Sequence, residues 1–192
     1  PFEILVVDDG SNKKVSVDIS ANIFLIRNNV NKGKGNAIKK GLAFALQNKY
    51  THAITLDADL QHDPKYIDEF IEVDKEIDIV IGARRFDKEM PLHRRLSNNI
   101  TSTIISALTG KKILDSQSGY RRYRIDGDSF MDCIENGFQF ESEILINRLR
   151  KKKATLAHIP IPTIYSNEKS SINNISDTYK FIKLIVRKIF DR

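Results

Sequence analysis

HAITLDADLQHDP, residues 52–64, combines an apolar run, a group of acidic residues and a proline. Its first half, residues 52–58, is an apolar run with the character of a buried strand, and acidic residues follow directly at its end. Pro64 then begins a segment with helical spacing that extends to Lys75, and proline suits the first turn of a helix. The stretch therefore predicts a buried strand, an acidic loop at the carboxyl end of that strand, and a helix.

Apolar runs of the same kind recur along the chain and alternate with segments of helical spacing. Short runs rich in isoleucine and valine are typical of strands that are buried on both faces. The other predicted strands are 3–9, 22–28, 78–84 and 155–161, and the other predicted helices are 35–49, 96–108 and 175–190. This alternation predicts an α/β fold with a mostly parallel sheet flanked by helices.

Composition limits the class of protein. A chain of 192 residues with 41% hydrophobic content can bury one sizeable core. The single cysteine, Cys133, allows no internal disulfide and suits a reducing compartment. A net charge of +6 favours an anionic partner, which charge alone leaves open among nucleic acid, a phosphate-rich substrate and an acidic lipid surface. No apolar run has the length needed to cross a bilayer.

Three oxygen-bearing side chains follow the strand of the opening stretch. Asp57, Asp59 and Gln61 are two residues apart, so they project to the same side if the backbone stays extended. Such a set of oxygen ligands suits a hard divalent cation, Mg²⁺ or Mn²⁺, that also binds phosphates. In the alternative interpretation, Asp59 and Asp63 only cap the helix that begins at Pro64.

Further polar groups lie at the other predicted strand ends. Asp8 and Asp9 follow the first strand, where their carboxylates are placed to accept hydrogen bonds from a base or a ribose. The segment NVNKGKGNAIKKG, residues 29–41, puts Lys34 and two glycines at the start of a helix, where backbone amides can face an anion. A plain strand-to-helix turn explains that segment equally.

Arginines are concentrated in three short segments, 84–85, 94–95 and 121–124. Guanidinium groups favour phosphates, although most arginines in any sequence are solvated surface groups. The four histidines lack the spacing of a zinc site, and no GxSxG elbow indicates a nucleophilic hydrolase.

Six motifs, taken together and in this order, resemble the family 2 glycosyltransferases of GT-A fold. Within that family the chain is most similar to the dolichyl-phosphate (polyprenyl-phosphate) mannose and glucose synthases. The motifs are VVDDGS, NKGKGNAIKKG, LDADLQHDP, GARR, DSQSGYRRY and IYSNEKSSIN. Two features depart from the family pattern: the chain shows no counterpart of the family's first strand, which reads like IPxYNE, and Ser171 stands where the family commonly has lysine.

The resemblance implies a site for each ligand. It implies a divalent metal, Mg²⁺ or Mn²⁺, on Asp57, Asp59 and Gln61, and catalytic roles for Asp59, Arg84 and Arg121. The residues implied to receive the acceptor phosphate are Arg84, Arg94, Arg95 and Ser97. Those implied to bind the nucleotide sugar are Asp8, Asp9, Gly10, Ser11, Lys34, Asp57, Ala58, Asp59, Gln61, Ser118, Gly119, Arg121 and Ser170.

The resemblance also implies a reaction, in which a hexose passes with inversion from a nucleotide sugar of the GDP-mannose or UDP-glucose type to a polyprenyl phosphate. We expect residues 1–170 to form the catalytic domain and 171–192 a basic amphipathic helix, which either lies on a membrane surface or packs on its own domain. The resemblance implies a place at the cytoplasmic face of a membrane and no nucleic acid partner.

Three alternatives remain open at this stage. One is a family 2 transferase acting on a saccharide hydroxyl, with Asp115, Glu141 or Glu143 as the base. The others are a basic nucleic-acid-binding domain and a non-catalytic protein of the same fold.

Overall fold

The structure is a computed structural model, and it describes residues 2–18, 22–85, 90–127, 129–151, 153–164 and 174–191. Its strands are β1 (Ile4–Asp8), β2 (Ile23–Arg27), β3 (His52–Thr55), β4 (Ile79–Arg84), β5 (Arg121–Arg124) and β6 (Leu156–Ile161). Its helices are α1 (Lys34–Gln47), α2 (Ile67–Glu72), α3 (Leu92–Thr109), α4 (Phe140–Lys151) and α5 (Asn174–Phe190). All five predicted strands are present, and the predicted α/β architecture is confirmed.

The strands form two separate sheets. β1 and β2 make a parallel pair, and the other sheet has the order β3-β5-β4-β6. In the larger sheet β4 and β6 are parallel, whereas β5 runs antiparallel to both of its neighbours, so the sheet is mixed rather than uniformly parallel. Helix α1 contacts both β1 and β3 and thereby connects the two sheets by packing.

Strand β5 was not predicted because its sequence, RRYR, has the composition of an exposed basic segment. In the structure Arg121, Arg122 and Tyr123 are buried. Their burial is tolerated because the guanidinium groups donate to backbone carbonyls; Arg122, for example, donates to Phe70 at 2.8 Å.

Helix α4 lies at the centre of the main core and was likewise not predicted. Polar residues interrupt its apolar pattern, and several of them, including Glu143 and Asn147, are buried together with Ile144 and Leu145. The apolar side chains of α4 pack with Ile105 of α3 and with Ile185 of α5. Helices α3 and α5 therefore both rest on α4.

Helix α5 confirms the amphipathic segment predicted at 175–190, but its charges are arranged differently from the expectation. Arg187 and Lys188 bind Glu143 at 2.9 Å and 3.1 Å, so these two basic groups are neutralised inside the protein. Lys183 remains exposed, as does an apolar stripe formed by Tyr179, Ile182, Val186, Ile189 and Phe190. None of the described helices is long and apolar enough to cross a membrane.

Candidate functional site

A partly buried lysine, Lys34, connects the loop after β3 with the first turn of α4. The Nζ atom of Lys34 lies 2.8 Å from Oδ1 of Asp57 and 3.0 Å from Oε2 of Glu141. Burial lowers the pKa of Lys34, but the two carboxylates outweigh burial, so the net pKa is raised and the ammonium keeps its charge. Gly119 packs against this group, since a Cβ there would lie 2.6 Å from Asp57 Oδ2.

The loop after β3 is not extended, which corrects the geometry assumed from its spacing. Leu60 has a φ of 62°, a left-handed conformation that reverses the chain between Asp59 and Gln61. The backbone N–H of Gln61 donates to Oδ1 of Asp59 at 3.0 Å, and that of Asp57 donates to Nδ1 of His62 at 2.9 Å. Asp57, Asp59 and Gln61 are therefore close in the chain without lining one face of a strand.

The alternative interpretation of this loop, in which Asp59 and Asp63 cap the helix that begins at Pro64, is correct for Asp63 only. Asp63 caps the short 3-10 turn Pro64–Tyr66 by accepting from the backbone N–H of Lys65 at 3.0 Å. Asp59 does not cap that turn, since its contact is with Gln61. The capping role thus leaves Asp59 available for another function.

The oxygen atoms of this loop fit a divalent cation in part. Both carboxylate oxygens of Asp57 face Lys34, at 2.8 Å and 2.9 Å, so Asp57 is open to a metal only if Lys34 moves. Within the described part of the chain, Oδ2 of Asp59 and the side chain of Gln61 make no hydrogen bond, and no cluster of three or more His, Cys, Asp or Glu is placed to hold a metal ion. Mg²⁺ is commonly held by one or two carboxylates together with substrate phosphates, and Asp59 with Gln61 suits that arrangement.

The acidic pair after β1 stabilises the protein itself. The side chain of Asp8 is buried, accepts from the backbone N–H of Ser11 at 2.9 Å and pairs with Arg27. Asp9 accepts from the backbone N–H groups of Lys32 and Gly33, at 3.0 Å and 2.7 Å. The oxygens of Asp8 are thus occupied within the protein, and its contact with a nucleoside stays a prediction. The anion bound by the glycine-rich loop is Asp9.

The environment of Asp8 predicts a specific dependence of stability on pH. The hydrogen bond from the backbone N–H of Ser11 is the main cause that lowers the pKa of Asp8 from 3.8 to about 2. A lowered folded-state pKa stabilises the protein above the unfolded value and ceases to do so as the pH falls from about 4 to about 2. We expect Asp8→Asn to lower the free energy of unfolding in urea near pH 6, and the difference from wild type to shrink towards about pH 2.5. A difference that stays constant with pH would contradict this role.

Glycines in two motifs permit close backbone approach. Gly10 has a φ of 77°, and a Cβ there would lie 2.6 Å from the backbone N of Asn31. Gly35 meets Phe140, whose Cβ would be 2.4 Å from an added Cβ. These glycines thus bring the loop before α1 against β1 and α4 and place Lys34 beside Glu141.

Arg121 has a structural position. It is 0% exposed and donates to the carbonyls of Ser116, Ser118 and Glu141, each at 2.7 Å. No face of the guanidinium reaches the surface in this arrangement, so the catalytic and nucleotide-binding roles of Arg121 stay predictions. Arg121 fixes the segment that carries Gly119 against the Asp57–Lys34 pair.

Asp115 lies among the residues predicted to receive an acceptor phosphate. Its carboxylate is fully buried and accepts from Nε of Arg84 at 2.7 Å and from Nδ2 of Asn98 at 2.6 Å. Burial raises the pKa of Asp115, and the hydrogen bonds and charge of Arg84 outweigh it, so the net pKa is lowered. Nε2 of Gln117 donates to Oγ of Ser97 at 3.4 Å, which ties the start of α3 to the same segment. Arg84 and Ser97 are thereby brought into one region, which Arg94 and Arg95 share through the first turn of α3.

A cleft of about 300 Å³ lies at the end of β4 next to this region. It is lined by three apolar residues, Ala83, Leu114 and Pro160, and by Arg84, Arg85 and His158. The Nε2 atom of His158 accepts from the backbone N–H of Leu114 at 3.3 Å, and burial lowers the pKa of this histidine, so its ring is neutral at neutral pH.

The remaining predicted residues are distributed as follows. Ala58 and Ser11 are exposed, whereas Ser118 and Gly119 are buried beside Asp57. Ser170 lies outside the described residues. Asp115 and Glu143, two of the three bases considered for a hydroxyl acceptor, are fully buried in ion pairs and therefore cannot reach a substrate. The partnership of Glu141 with Lys34 was not predicted, because no element was assigned to 140–151.

Comparisons with known proteins give these residues a family context. The family model described as Glycosyl transferase family 2 matches residues 1–149. The uncharacterized protein MJ1222 of Methanocaldococcus jannaschii is 33% identical over 198 residues, which cover 97% of this chain and 81% of that protein. The UDP-N-acetylglucosamine–dolichyl-phosphate N-acetylglucosaminyltransferase of Methanococcus voltae is 32% identical over 152 residues, or 75% of this chain and 60% of that protein.

Solved structures share the same architecture. Glucosyl-3-phosphoglycerate synthase from Mycobacterium tuberculosis, in complex with Mn²⁺ and uridine-diphosphate-glucose, matches with a TM-score of 0.71 at 15% identity. The match covers 96% of this chain and 67% of that chain. At this level of identity the likeness concerns the fold, and it confirms the fold expected from the six motifs.

Proposed function

This chain belongs to glycosyl transferase family 2 and has the GT-A fold, and from that premise we propose that it transfers a hexose from a nucleoside-diphosphate sugar to the phosphate of a polyprenyl lipid. In support, a relative that covers most of this chain is named for transfer to dolichyl phosphate, which is a polyprenyl phosphate. The proposed donor is a sugar nucleotide of the GDP-mannose or the UDP-glucose type.

The observation that carries the proposal is the cleft at the end of β4. Arg84 and Arg85 are among the residues that line this cavity, together with the apolar Ala83, Leu114 and Pro160 and with His158. A phosphate attached to a hydrocarbon chain matches that combination, because the arginines bind the anion and the apolar walls contact the lipid. A free oligosaccharide offers polar hydroxyls and would leave the apolar walls without a matching surface.

The chemistry of a phosphate acceptor agrees with the groups that are available. A phosphomonoester has a second pKa near 6, so its oxygen is already a nucleophile at neutral pH and needs no strong base. The acceptor oxygen attacks the anomeric carbon from the face opposite the leaving group, a new carbon–oxygen bond forms, and the bond to the diphosphate breaks with inversion. Of the three candidate bases, Asp115 and Glu143 are fully buried and Glu141 is paired with Lys34, which favours a phosphate over a saccharide hydroxyl as the acceptor.

The chain contributes positioning and charge to this reaction. Asp115 fixes the orientation of Arg84 at the cleft through a two-point contact at 2.7 Å and 3.0 Å. Held in that orientation, Arg84 helps to place the acceptor anion for attack. A divalent cation held by Asp59 and Gln61, and by Asp57 once Lys34 has moved, would stabilise the charge that develops on the departing nucleoside diphosphate.

We also propose that the protein acts at a membrane surface, on its cytoplasmic side. The support is the exposed apolar stripe of α5, in which Tyr179, Ile182 and Phe190 are 69%, 54% and 79% exposed. A helix with such a stripe lies favourably in the interface of a bilayer. The membrane would bring a lipid acceptor to the protein.

The proposal predicts a defined pattern of acceptor use. With polyprenyl phosphate in detergent or vesicles, we expect turnover of a nucleotide sugar in the presence of Mn²⁺ or Mg²⁺, and its loss when EDTA is added. The measurement uses a panel of GDP- and UDP-linked sugars and follows the lipid-linked product by mass spectrometry. Transfer to a free oligosaccharide without transfer to the lipid would favour the hydroxyl-acceptor reaction. Salt-sensitive duplex binding without nucleotide-sugar binding would overturn the assignment.

A further inference from the structure

We propose that Lys34 is an internal cation that occupies Asp57 until a divalent ion binds, and that Glu141 is the positioning residue that keeps Lys34 when Asp57 is released. This inference rests on the proposed function, because it concerns how the site exchanges one cation for another. It assigns to Glu141 a role other than that of a base.

The first observation is that one ammonium serves two carboxylates from different elements. Lys34 begins α1, Asp57 follows β3, and Glu141 lies in the first turn of α4. The contacts of Lys34 Nζ are 2.8 Å and 2.9 Å with the two oxygens of Asp57 and 3.0 Å with Oε2 of Glu141. Both carboxylate oxygens of Asp57 therefore already face the positive charge of Lys34.

The second observation is an unused acceptor on Glu141. This residue is 6% exposed, and its Oε1 atom is buried without a hydrogen-bond partner in the described part of the chain. A buried oxygen without a partner is unfavourable, so native proteins seldom keep one unless another state satisfies it. Oε1 belongs to the same carboxylate that already binds Lys34 through Oε2, which makes it a second position for the same ammonium.

The backbone limits where the ammonium can go. Gly119 closes one side of the group, since an added Cβ would lie 2.8 Å from Lys34 Nζ. Arg121 holds this segment through the carbonyls of Ser116 and Ser118, so the wall is fixed. When Lys34 leaves Asp57, Glu141 is the carboxylate within reach that keeps its charge balanced.

Charge repulsion determines whether a substitution at Lys34 or Glu141 tightens or weakens metal binding. A divalent ion on Asp57 and an ammonium in contact with the same carboxylate repel each other strongly at these distances. Binding of the metal and release of Lys34 are therefore linked, and any change that eases the release tightens metal binding by the same factor. Replacing Lys34 removes the cation that must be released, so metal binding becomes easier. Removing the charge of Glu141 makes the release of Lys34 harder, so metal binding becomes weaker.

The test measures Mn²⁺ affinity in the full chain without any acceptor, from the electron paramagnetic resonance signal of free Mn²⁺. We expect Lys34→Met to tighten binding about tenfold, the size of effect that one neighbouring charge has on the ionisation of a carboxylate. Lys32→Met is the matched control, because it removes a charge from an exposed lysine of the same loop. Its affinity should stay within about twofold of wild type.

Glu141→Gln separates positioning from simple charge loss. Alone, it should weaken Mn²⁺ binding; in the Lys34→Met background, the weakening should be smaller, because the part that acts through Lys34 is gone. If circular dichroism shows that Lys34→Met does not fold, Lys34→Gln, which also removes the charge but keeps a polar group, takes its place in both comparisons. An equal effect of Glu141→Gln in both backgrounds would contradict the positioning role.

Failure of this inference is distinguishable from failure of the proposed function. If the wild-type protein binds Mn²⁺ and Lys34→Met does not bind it more tightly, the exchange of cations is refuted and the proposed transfer stands. If neither protein binds Mn²⁺, with or without GDP or UDP, the inference and the metal-dependent part of the proposed function both fail.

Discussion

Replacement of Asp59 by asparagine is expected to lower turnover of the nucleotide sugar by roughly a hundredfold to a thousandfold, the range seen when one stabiliser of developing charge is lost. Asp59 contributes a carboxylate whose Oδ2 makes no hydrogen bond among the described residues, and its Oδ1 accepts from the backbone N–H of Gln61. Asparagine keeps the shape and that hydrogen bond but loses the negative charge. The fold should therefore persist, while the diphosphate loses its divalent cation.

The control for this variant is Asp63→Asn, in the same loop. Asp63 caps the turn at Pro64 and pairs with Lys65, away from the contact between Asp57 and Lys34. We expect a loss of stability of about 1 kcal/mol or less and little change in turnover. Steady-state rates at saturating Mn²⁺, together with thermal melting, distinguish the two variants. If Asp59→Asn retained more than a tenth of the wild-type rate, the assignment of the metal to Asp59 would fail.

Replacement of Arg121 by methionine is expected to reduce the free energy of unfolding by about 3–5 kcal/mol, the range for breaking a buried charged contact. The substitution deletes three donors at once and leaves the carbonyls of Ser116, Ser118 and Glu141 buried without them. Each such carbonyl loses its compensation for being removed from water. The measurement is urea unfolding followed by circular dichroism.

Arg124→Met is the matched control, since it removes the same kind of side chain from the same strand. Arg124 is partly exposed and pairs at 2.8 Å with Glu76, whose side chain is 75% exposed. Surface pairs of this kind contribute about 0–1 kcal/mol, so the control should unfold almost as wild type does. Similar losses in the two variants would show that the buried network around Arg121 does not stabilise the fold as proposed.

Five of the six described strands and four of the five described helices could be predicted because each shows a local pattern of apolar residues. Strand β5 and helix α4 could not, since their stability depends on polar side chains whose partners are distant in sequence. Arg122 is an example: its guanidinium reaches the carbonyls of Phe70, Val73 and Asp74, at 2.8 Å, 2.6 Å and 2.6 Å. Nothing in RRYR itself indicates that such acceptors will surround it.

The candidate site was predictable as a set of motifs but not as a set of contacts. The sequence places Asp57 at a strand end, yet whether its oxygens are available depends on Lys34 and Glu141, which belong to other elements. Asp8 and Asp9 were predicted to bind a ligand because acidic residues at a sheet edge often do. In the structure their acceptors are used by the backbone of the neighbouring loops, which no spacing rule reveals.

The division into two sheets has a consequence for how the molecule opens. β1 and β2 pair with each other, and α1 is the element that joins them to β3. A two-stranded ribbon is marginal alone, so we expect the β1–β2 pair to open at a lower free energy than unfolding of the whole chain. Asp9 directly follows β1, and Asp59 belongs to the loop after β3 of the larger sheet. A ligand that contacted both Asp9 and Asp59 would bind only the closed arrangement. Its binding would therefore raise the free energy needed to open the β1–β2 pair.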